Sequence, residues 1–140
     1  MNKNQRDYGL NPYVTNVERD AMKNSDFRTA IWTGEYAQMT IMCIPSCGDI
    51  GLEMHADTDQ IIRVEQGCGV VMMGKKQCEH DFEWMLNKGD VIFVPAGTWH
   101  NIINTGKCTL KVSSVYAPPK HPRGTIHHTK ADAAYHEESH

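Results

Sequence analysis

Four side chains that could hold a metal ion lie in two short stretches of this sequence. Glu53, His55 and Gln60 fall within one stretch, and His100 belongs to a later one. Two imidazoles, a carboxylate and an amide oxygen suit a borderline or hard divalent ion of the first transition row. Four ligands that approach from one face leave positions open for water or a substrate, as a catalytic site requires. We therefore predict one divalent transition-metal ion, with zinc, iron, manganese, nickel and cobalt as the candidates.

Short strands must position these side chains. Residues 50–55 alternate in character, so that Glu53 and His55 project to the same face of a predicted strand. A turn follows, and aliphatic residues share the face of the next strand that carries Gln60, which marks that face as interior. A hairpin of these two strands would bring three ligands to one end of the sheet, where His100 is the natural fourth.

The middle of the chain consists of short stretches rich in β-branched, aromatic and methionine residues, which predict strands. These predicted strands are 27–33, 38–44, 50–55, 60–65, 69–73, 82–86, 90–94, 98–104 and 110–116. Turn residues separate them, and no long helical pattern interrupts them. Many short strands with regular turn signals predict an all-β sandwich or barrel.

Polar segments flank the predicted barrel, which spans residues 26–117. Residues 1–25 are predicted as a polar N-terminal extension, in which residues 16–24 could form one short helix. Residues 118–140 are predicted as a polar C-terminal tail, because prolines near its start block regular strand pairing. Within that tail, residues 131–138 form either a short terminal helix or a frayed end.

The composition excludes several classes of function. Fourteen basic and seventeen acidic residues leave a net charge of −3 without a basic stripe, so no nucleic-acid partner is expected. The apolar runs are too short to span a membrane, and the N-terminus lacks the apolar core of an export signal. Five cysteines, an odd number, fit reduced thiols better than a disulfide framework. We expect a cytoplasmic protein with a small-molecule substrate or ligand.

The stretch from Gly89 to Asn104 resembles the second sequence motif of the cupin family. That motif runs glycine, five residues, Pro-x-Gly, two residues, histidine, three residues and asparagine. Every position is matched, by Gly89, Pro95, Gly97, His100 and Asn104. The resemblance implies that His100 is a metal ligand.

The first cupin motif is matched in spacing but not in identity. Glu53 takes the place of the first of its two histidines, His55 is the second, and Gln60 replaces the usual glutamate. Gly67 closes the motif, whereas the leading glycine is one residue out of place. Asp57 is an alternative to Glu53, as a replacement for the second histidine when His55 is taken as the first. Glu53 is favoured, because Asp57 falls inside a predicted turn.

The cupin resemblance implies a jelly-roll β-barrel with a metal at its core, over about residues 38–116. The chain is also similar to small single-domain bacterial cupins that are often labelled mannose-6-phosphate-isomerase-like. Residues 27–34 and 116–127 carry this closer similarity. The family resemblance, together with open sheet edges that need covering, predicts a homodimer.

Three functions compete at this point. The first is a metal-dependent isomerase, epimerase or lyase that acts on a sugar or a hydroxy- or keto-acid, although no general base can be named. The second is an iron- and oxygen-dependent enzyme, because two histidines and a carboxylate are the ligands of a facial triad. The third is a non-catalytic cupin that binds a metal or a small ligand, since this fold hosts many unrelated chemistries.

Five of the eight histidines lie in the last twenty residues, at positions 121, 127, 128, 136 and 140. A second metal site there is one hypothesis. The other is a solvated tail in which His121 or His127 packs over the mouth of the barrel. Trp99 is assigned to the barrel exterior or an interface in preference to a substrate contact, and Asn104 to hydrogen bonding in a turn.

Four charged residues on the predicted strands have no settled role. Arg28 and Lys111 could clamp an anion if their strands point them inward, and the sequence leaves that orientation open. Arg63 and Glu65 alternate away from the face of Gln60 and are therefore predicted to lie at the surface or an interface.

Overall fold

A computed structural model of the chain describes residues 7–138. Its helices and strands are α1 (Val17–Lys23), β1 (Arg28–Thr33), β2 (Gln38–Ile44), β3 (Asp59–Gln66), β4 (Gly69–Gly74), β5 (Phe82–Leu86), β6 (Val91–Val94), β7 (Trp99–Asn104), β8 (Leu110–Ala117), β9 (Ile126–His127) and α2 (Lys130–Glu138). The predicted all-β class is confirmed. Within the described residues, no helix has the length and the apolar character that crossing a membrane demands.

The strands form two antiparallel sheets, as the predicted jelly-roll barrel requires. The larger sheet has six strands in the order β6-β3-β8-β2-β1-β9, and the smaller has three in the order β5-β4-β7. Aliphatic side chains from both sheets fill the space between them, among them Ile44, Ile62 and Val112 from the larger sheet and Val71 and Ile102 from the smaller. Each of these side chains contributes about 1.5–3 kcal/mol by leaving water.

Strand alternation places Gln60 inside the barrel, as predicted. Gln60 and Ile62 are buried, whereas Ile61 and Arg63 are exposed. Gln60 lies directly opposite Tyr116 in the antiparallel pairing of β3 with β8, so the two side chains share a face.

The predicted surface position of Glu65 is wrong. Its side chain is 1% exposed, and one of its oxygens accepts a hydrogen bond of 2.7 Å from the Ser113 hydroxyl. The pairing of β3 with β8 contains a bulge between Val64 and Gln66, and Glu65 lies on the face of Ser113 and Arg63, the outer face of the larger sheet. Helix α1 packs on that face, where its Ala21 contacts Ile41, the cross-strand neighbour of Ser113. Arg63, which precedes the bulge, remains exposed as predicted.

The predicted hairpin of residues 50–55 with β3 does not form. This segment makes only isolated bridges to β7, at Asp49 and at Glu53, and β3 pairs with β6 and β8 instead. Gly51 has a positive φ of 91°, which interrupts a regular strand. The bridge at Glu53 nevertheless joins the Glu53 backbone directly to that of His100, so these two predicted ligands still lie side by side.

The predicted N-terminal helix is confirmed as α1. The Asn16 side chain accepts a hydrogen bond of 2.9 Å from the Arg19 backbone N–H, which satisfies one unpaired donor of the first turn. At the other end, the Lys111 ammonium donates to the backbone carbonyls of Met22 and Asn24, at 2.7 and 3.0 Å. Lys111 therefore anchors the helix to the barrel and does not clamp an anion.

The segment that follows β8 folds back onto the barrel. Its two-residue strand β9 pairs with β1, with His127 opposite Arg28. Gln38, which is fully buried at the start of β2, holds the same segment through hydrogen bonds to residues 120 and 121. The residues predicted as a polar tail therefore contribute the strand β9. They also form α2, the terminal helix that was one of the two predicted alternatives for residues 131–138.

Candidate functional site

Three of the four predicted ligands meet inside the barrel. The ligand atoms of Glu53, His55 and His100 all lie within 4.8 Å of one another. The Nε2 atom of His55 is 3.2 Å from Oε2 of Glu53, and the centroids of the two imidazole rings are 5.4 Å apart. Asp57, the alternative ligand, is exposed in a turn and does not belong to this group.

The backbone brings Glu53 and His100 side by side. The N–H of each donates to the carbonyl of the other, at 2.9 Å from Glu53 and 2.8 Å from His100. The N–H of Gly97 donates to the His55 carbonyl at 2.8 Å, which ties the corner before β7 to the second ligand. Gly97 has a φ of 81°, so the tight corner favours glycine at this position of the motif.

His100 is held in the orientation that a metal ligand needs. Its Nδ1 lies 3.0 Å from the Thr98 carbonyl, to which it donates, and this leaves the lone pair of the neutral ring on Nε2. The Nε2 atom is buried and has no hydrogen-bond partner within the described part of the chain. Burial lowers the pKa of His100, which favours the neutral ring that can bind a metal.

Glu53 is ionised despite its burial. Burial raises the pKa of this carboxyl, but the neighbouring His55 imidazole and Arg28 guanidinium outweigh that effect, and the pKa falls to about 2. An Arg28 nitrogen lies 3.4 Å from Oε1 of Glu53, and the Arg28 side chain is only 1% exposed. The site therefore contains one carboxylate, Glu53, which already forms an ion pair with Arg28.

Gln60 lies beside the group of three but makes no bond to it. Its amide nitrogen donates to the Ser114 hydroxyl at 3.3 Å, and its Oε1 is buried without a partner among the described residues. Its cross-strand neighbour Tyr116 places its ring 5.8 Å from the His55 ring, centroid to centroid. The role of Gln60 as a fourth ligand remains a prediction.

The residues present fit a divalent metal ion. The Nε2 atom of His100, the Nδ1 atom of His55 and the Oε1 atom of Gln60 are buried polar atoms without partners in residues 7–138. Each such atom costs about 1–3 kcal/mol when it is left unsatisfied. An ion bound by His100 Nε2 and Gln60 Oε1, together with Glu53 and the Nε2 atom of His55, would remove part of that cost.

A pocket of about 480 Å³ lies beside Glu53 and His55, two of the three candidate ligands. It is lined by Leu52, Glu53, Met54, His55, Trp99, Lys120, His121, Pro122, Thr125 and His127. Half of these residues come from the segment after the barrel, which sequence reasoning placed in a polar tail. Trp99, assigned from the sequence to the exterior or an interface, is half-buried on the face of β7 opposite His100 and also lines the pocket.

His121 is a functional candidate for which the sequence predicted packing over the barrel mouth or a second metal site, but no role in catalysis. The side-chain oxygen of Gln38 accepts from the N–H of Lys120 at 3.2 Å and from that of His121 at 3.0 Å, while its nitrogen donates to the His121 carbonyl at 2.8 Å. The His121 ring contacts the edge of the Tyr116 ring, and its Nε2 is buried without a partner among the described atoms. Burial, with a contribution from Arg28, lowers the pKa of His121 to about 3.

The other histidines of the last twenty residues do not assemble a second site in the described structure. His127 is buried in β9, and Nδ1 of the exposed His128 lies 2.8 Å from a carboxylate oxygen of Asp26. The His136 side chain and the whole of His140 fall outside what the structure describes. Elsewhere the turn role predicted for Asn104 is confirmed, since its amide bonds the backbone of Ile44, Gly106 and Cys108.

Comparison with known proteins agrees with this geometry. A family model described as a cupin domain matches residues 40–116. The protein YrkC of Bacillus subtilis is 52% identical over 128 residues, which cover 91% of this chain and 69% of that protein. The crystal structure of BH2720 from Bacillus halodurans, at 48% identity, superposes with a TM-score of 0.92 and covers 93% of this chain and 98% of that one. A predicted oxalate decarboxylase from Thermotoga maritima, at 26% identity and a TM-score of 0.50, covers 71% of this chain and 72% of its own.

Proposed function

This chain belongs to the cupin family, and we propose that it is an enzyme that uses one divalent transition-metal ion to act on a small polar substrate. The observation that carries the proposal is the meeting of Glu53, His55 and His100, whose ligand atoms lie within 4.8 Å of one another. Gln60 is the fourth ligand in this proposal. A bound ion would polarise oxygen atoms of the substrate and stabilise negative charge on them.

The reaction class that we propose is isomerisation, epimerisation or lysis of a sugar or of a hydroxy- or keto-acid. The pocket volume of about 480 Å³ falls within the range of small-molecule sites. Its lining combines polar groups with the apolar surfaces of Leu52, Met54 and Trp99, which would keep water from a bound substrate. The similarity to a predicted oxalate decarboxylase supports a small acid as substrate.

His121 is the residue that we propose for proton transfer. Its Nε2 atom is buried in the pocket wall and has no hydrogen-bond partner among the described residues, so it is placed to exchange a proton with a bound substrate. Gln38 fixes the backbone on both sides of it, so the ring has a defined position. Proton transfer by a positioned side chain contributes roughly 100- to 10,000-fold to a rate.

A second candidate function is an iron- and oxygen-dependent oxidation. The specific observation in its favour is that the group of three consists of two histidines and one carboxylate, the ligands of a facial triad. Oxygen consumption that requires ferrous iron would identify this function.

The first experiment is elemental analysis of the protein purified without added metal or chelator. We expect about one equivalent of a single transition metal in the wild type and in His128→Ala, whose histidine is exposed, lies beside Asp26 and does not belong to the group of three. His100→Ala should lose most of the metal while the barrel still folds, because the aliphatic core is untouched. Full metal content in His100→Ala would contradict the ligand assignment, and a wild type that neither carries nor takes up metal would favour a non-catalytic cupin.

The second experiment separates the two enzymatic functions. The metal-loaded protein is incubated with hydroxy-acids, keto-acids and sugars, with and without oxygen, and the mixtures are followed by proton NMR. Turnover in the absence of oxygen supports an isomerase, epimerase or lyase. Turnover that needs both iron and oxygen supports the second candidate.

We further propose that the protein is a cytoplasmic homodimer. Exposed aromatic and aliphatic residues of β5 and β6 surround a groove of about 730 Å³, and Trp84 and Phe93 are 63% and 67% exposed. Both strands are edges of their sheets, and an apolar patch on free strand edges is typical of a protein interface. A second copy of the chain is the occupant that we propose. An odd number of cysteines favours a reducing compartment.

A further inference from the structure

The segment that carries Glu53 and His55 forms one edge of the smaller sheet, beside β7. Both backbone groups of Glu53 bond His100, and the His55 carbonyl accepts from the corner that precedes β7. The backbone groups of these two residues therefore point towards β7. Because backbone groups alternate in direction along an extended chain, those of Leu52 and Met54 point the other way.

Leu52 and Met54 leave these backbone groups unpaired. Within residues 7–138, neither residue makes a backbone hydrogen bond, and no strand pairs with them on that side. Their side chains are 39% and 37% exposed, and both residues line the pocket beside Glu53 and His55. Unpaired N–H and carbonyl groups at the edge of a sheet are a template for another extended chain. Residues 52–54, the free edge, present such groups to the pocket.

The part of this edge that precedes the free edge is covered by the chain itself. The Lys130 side chain of α2 forms an ion pair with Asp49 and lies against Gly51, and Ala133 of the same helix is buried in the aliphatic core. The strands β5 and β6, which we assign to the homodimer interface, lie at the opposite ends of the two sheets. The free edge therefore stays open in that dimer.

The side chains along the free edge differ between its two faces. Met54 lies opposite Trp99 in the antiparallel register that the bridge at Glu53 sets, and with Leu52 they form the apolar part of the pocket. Glu53 and His55 make the other face polar. The side chains of a strand that pairs here alternate between the same two faces. Its apolar side chains would lie beside Leu52 and Met54.

We propose that the free edge binds an extended peptide as an added strand, with apolar and polar side chains in alternation. Three residues of strand span about 10 Å, and the pocket of about 480 Å³ limits the bound part of the peptide to a short segment. The peptide lies in the pocket that we assign to the substrate, so it competes with the substrate. This inference goes beyond the proposed function and requires no metal.

The test titrates the full-length protein, by isothermal titration calorimetry, with an acetylated and amidated tetrapeptide of alternating valine and serine. Two analogues carry a single N-methyl group, at one or the other of the two central amide nitrogens. An added strand turns only every second N–H to its neighbour. One analogue should therefore bind about tenfold more weakly, the effect of one lost hydrogen bond, and the other should bind like the parent peptide.

Three equal affinities, or two analogues weakened alike, would overturn the added strand. So would a parent peptide that does not bind at millimolar concentration. A tetrapeptide of serine alone keeps every main-chain group and should bind several-fold more weakly than the parent. Equal binding of these two peptides would contradict the alternation of side chains.

Met54→Pro removes one N–H that does not bond β7, so the bridge between Glu53 and His100 is kept. Met54→Ala is the matched control, because it loses the side chain but retains the N–H. We expect the proline variant to bind the parent peptide about tenfold more weakly than the alanine variant. Equal affinities of the two variants would overturn the proposal. Circular dichroism compares their folds, and the N-methyl analogues test the wild type without any substitution.

Hydrogen exchange shows where the peptide binds. The amides of Leu52 and Met54 should exchange fast in the free protein and slowly once the parent peptide is bound. Slow exchange before the peptide is added would show that a second copy already covers the edge, and unchanged exchange would place the peptide elsewhere. Either result would overturn the proposal. A protein that carries no metal would contradict the proposed function but would leave this test intact.

Discussion

Arg28 begins β1 with its side chain buried between the site and β9. Its guanidinium lies 3.4 Å from Glu53 and 3.3 Å from Nδ1 of His127, and its alkyl stem is enclosed by the barrel. The sequence showed an arginine on a strand but not its orientation, because no alternating pattern surrounds it. Inside the barrel, this charge and the neighbouring His55 imidazole together keep the buried Glu53 carboxylate ionised, with its pKa lowered to about 2.

Arg28→Met should therefore destabilise the metal-free protein by about 3–5 kcal/mol, because it leaves the Glu53 carboxylate buried without its cation. Urea denaturation at neutral pH measures the loss. The double variant Arg28→Met/Glu53→Gln removes both charges and should recover much of the lost free energy. A single variant as stable as the wild type would show that the ion pair does not control the charge of the site.

His121 predicts a dependence of stability on pH. Its pKa is lowered from 6.5 to about 3 in the folded protein, so between these values the unfolded chain binds more protons than the folded one. Above pH 6.5 this group does not lower the free energy of unfolding. As the pH falls from 6.5 towards 3, the free energy of unfolding decreases by up to roughly 1.4 kcal/mol per pH unit. Urea denaturation of metal-free protein from pH 7 to pH 4 should show a shallower decline for His121→Gln than for the wild type. Parallel declines would mean that His121 is protonated in the folded state.

At the scale of the secondary-structure elements, the alternation of apolar and polar side chains made the regular strands predictable. Eight of the nine predicted stretches correspond to strands, and the ninth, residues 50–55, runs beside β7 with isolated bridges. Gly51 interrupts it through a backbone conformation that side-chain alternation does not reveal. The burial of Glu65 was missed for a different reason, since strand alternation predicts the face of a side chain but not that α1 packs on the outer face of this sheet.

The spacing of the ligands in the sequence was enough to predict which side chains meet at the candidate site. Glu53, His55 and His100 meet although the predicted hairpin does not form, because the bridge to β7 gives the same proximity. The wall formed by residues 120–127 could not be predicted. Its strand β9 has two residues, too few to alternate, and Gln38 holds it from more than eighty positions away in the sequence.

Gln38→Ala tests that connection. It removes three hydrogen bonds to residues 120 and 121, each worth about 0.5–1.5 kcal/mol. We expect faster hydrogen exchange in the segment 118–128, with metal content unchanged. Gln66→Ala is the matched control, because its amide bonds the backbone and side chain of Thr109 and has no role in the pocket. Unchanged exchange in the segment would show that other contacts hold it.

At the scale of the whole molecule, the exposed groove between β5 and β6 lies apart from the pocket. The Phe82 and Trp84 rings stack with centroids 6.2 Å apart, and β5 exposes all but its last residue. No residue that lines this groove also lines the pocket beside the metal ligands. Assembly and ligand binding can therefore be altered separately.

Trp84→Glu should convert the proposed homodimer to a monomer, because it places a charge in the centre of an apolar interface. Light scattering after size exclusion, at micromolar concentration, measures the mass. Tyr36→Glu introduces the same charge at another exposed aromatic, outside the groove, and should leave the dimer intact. A wild type that elutes at 15.8 kDa would contradict the proposal at once.

The pocket wall that Gln38 holds, residues 120–127, lies outside the barrel that carries the proposed metal ligands. The barrel carries every proposed metal ligand, whereas a segment outside it supplies Lys120, His121 and His127 to the wall of the pocket. Substitutions in this segment can therefore change the wall of the pocket without removing a proposed metal ligand. A chimaera that joins this barrel to the corresponding segment of a relative such as YrkC should retain its metal and acquire the ligand preference of the donor.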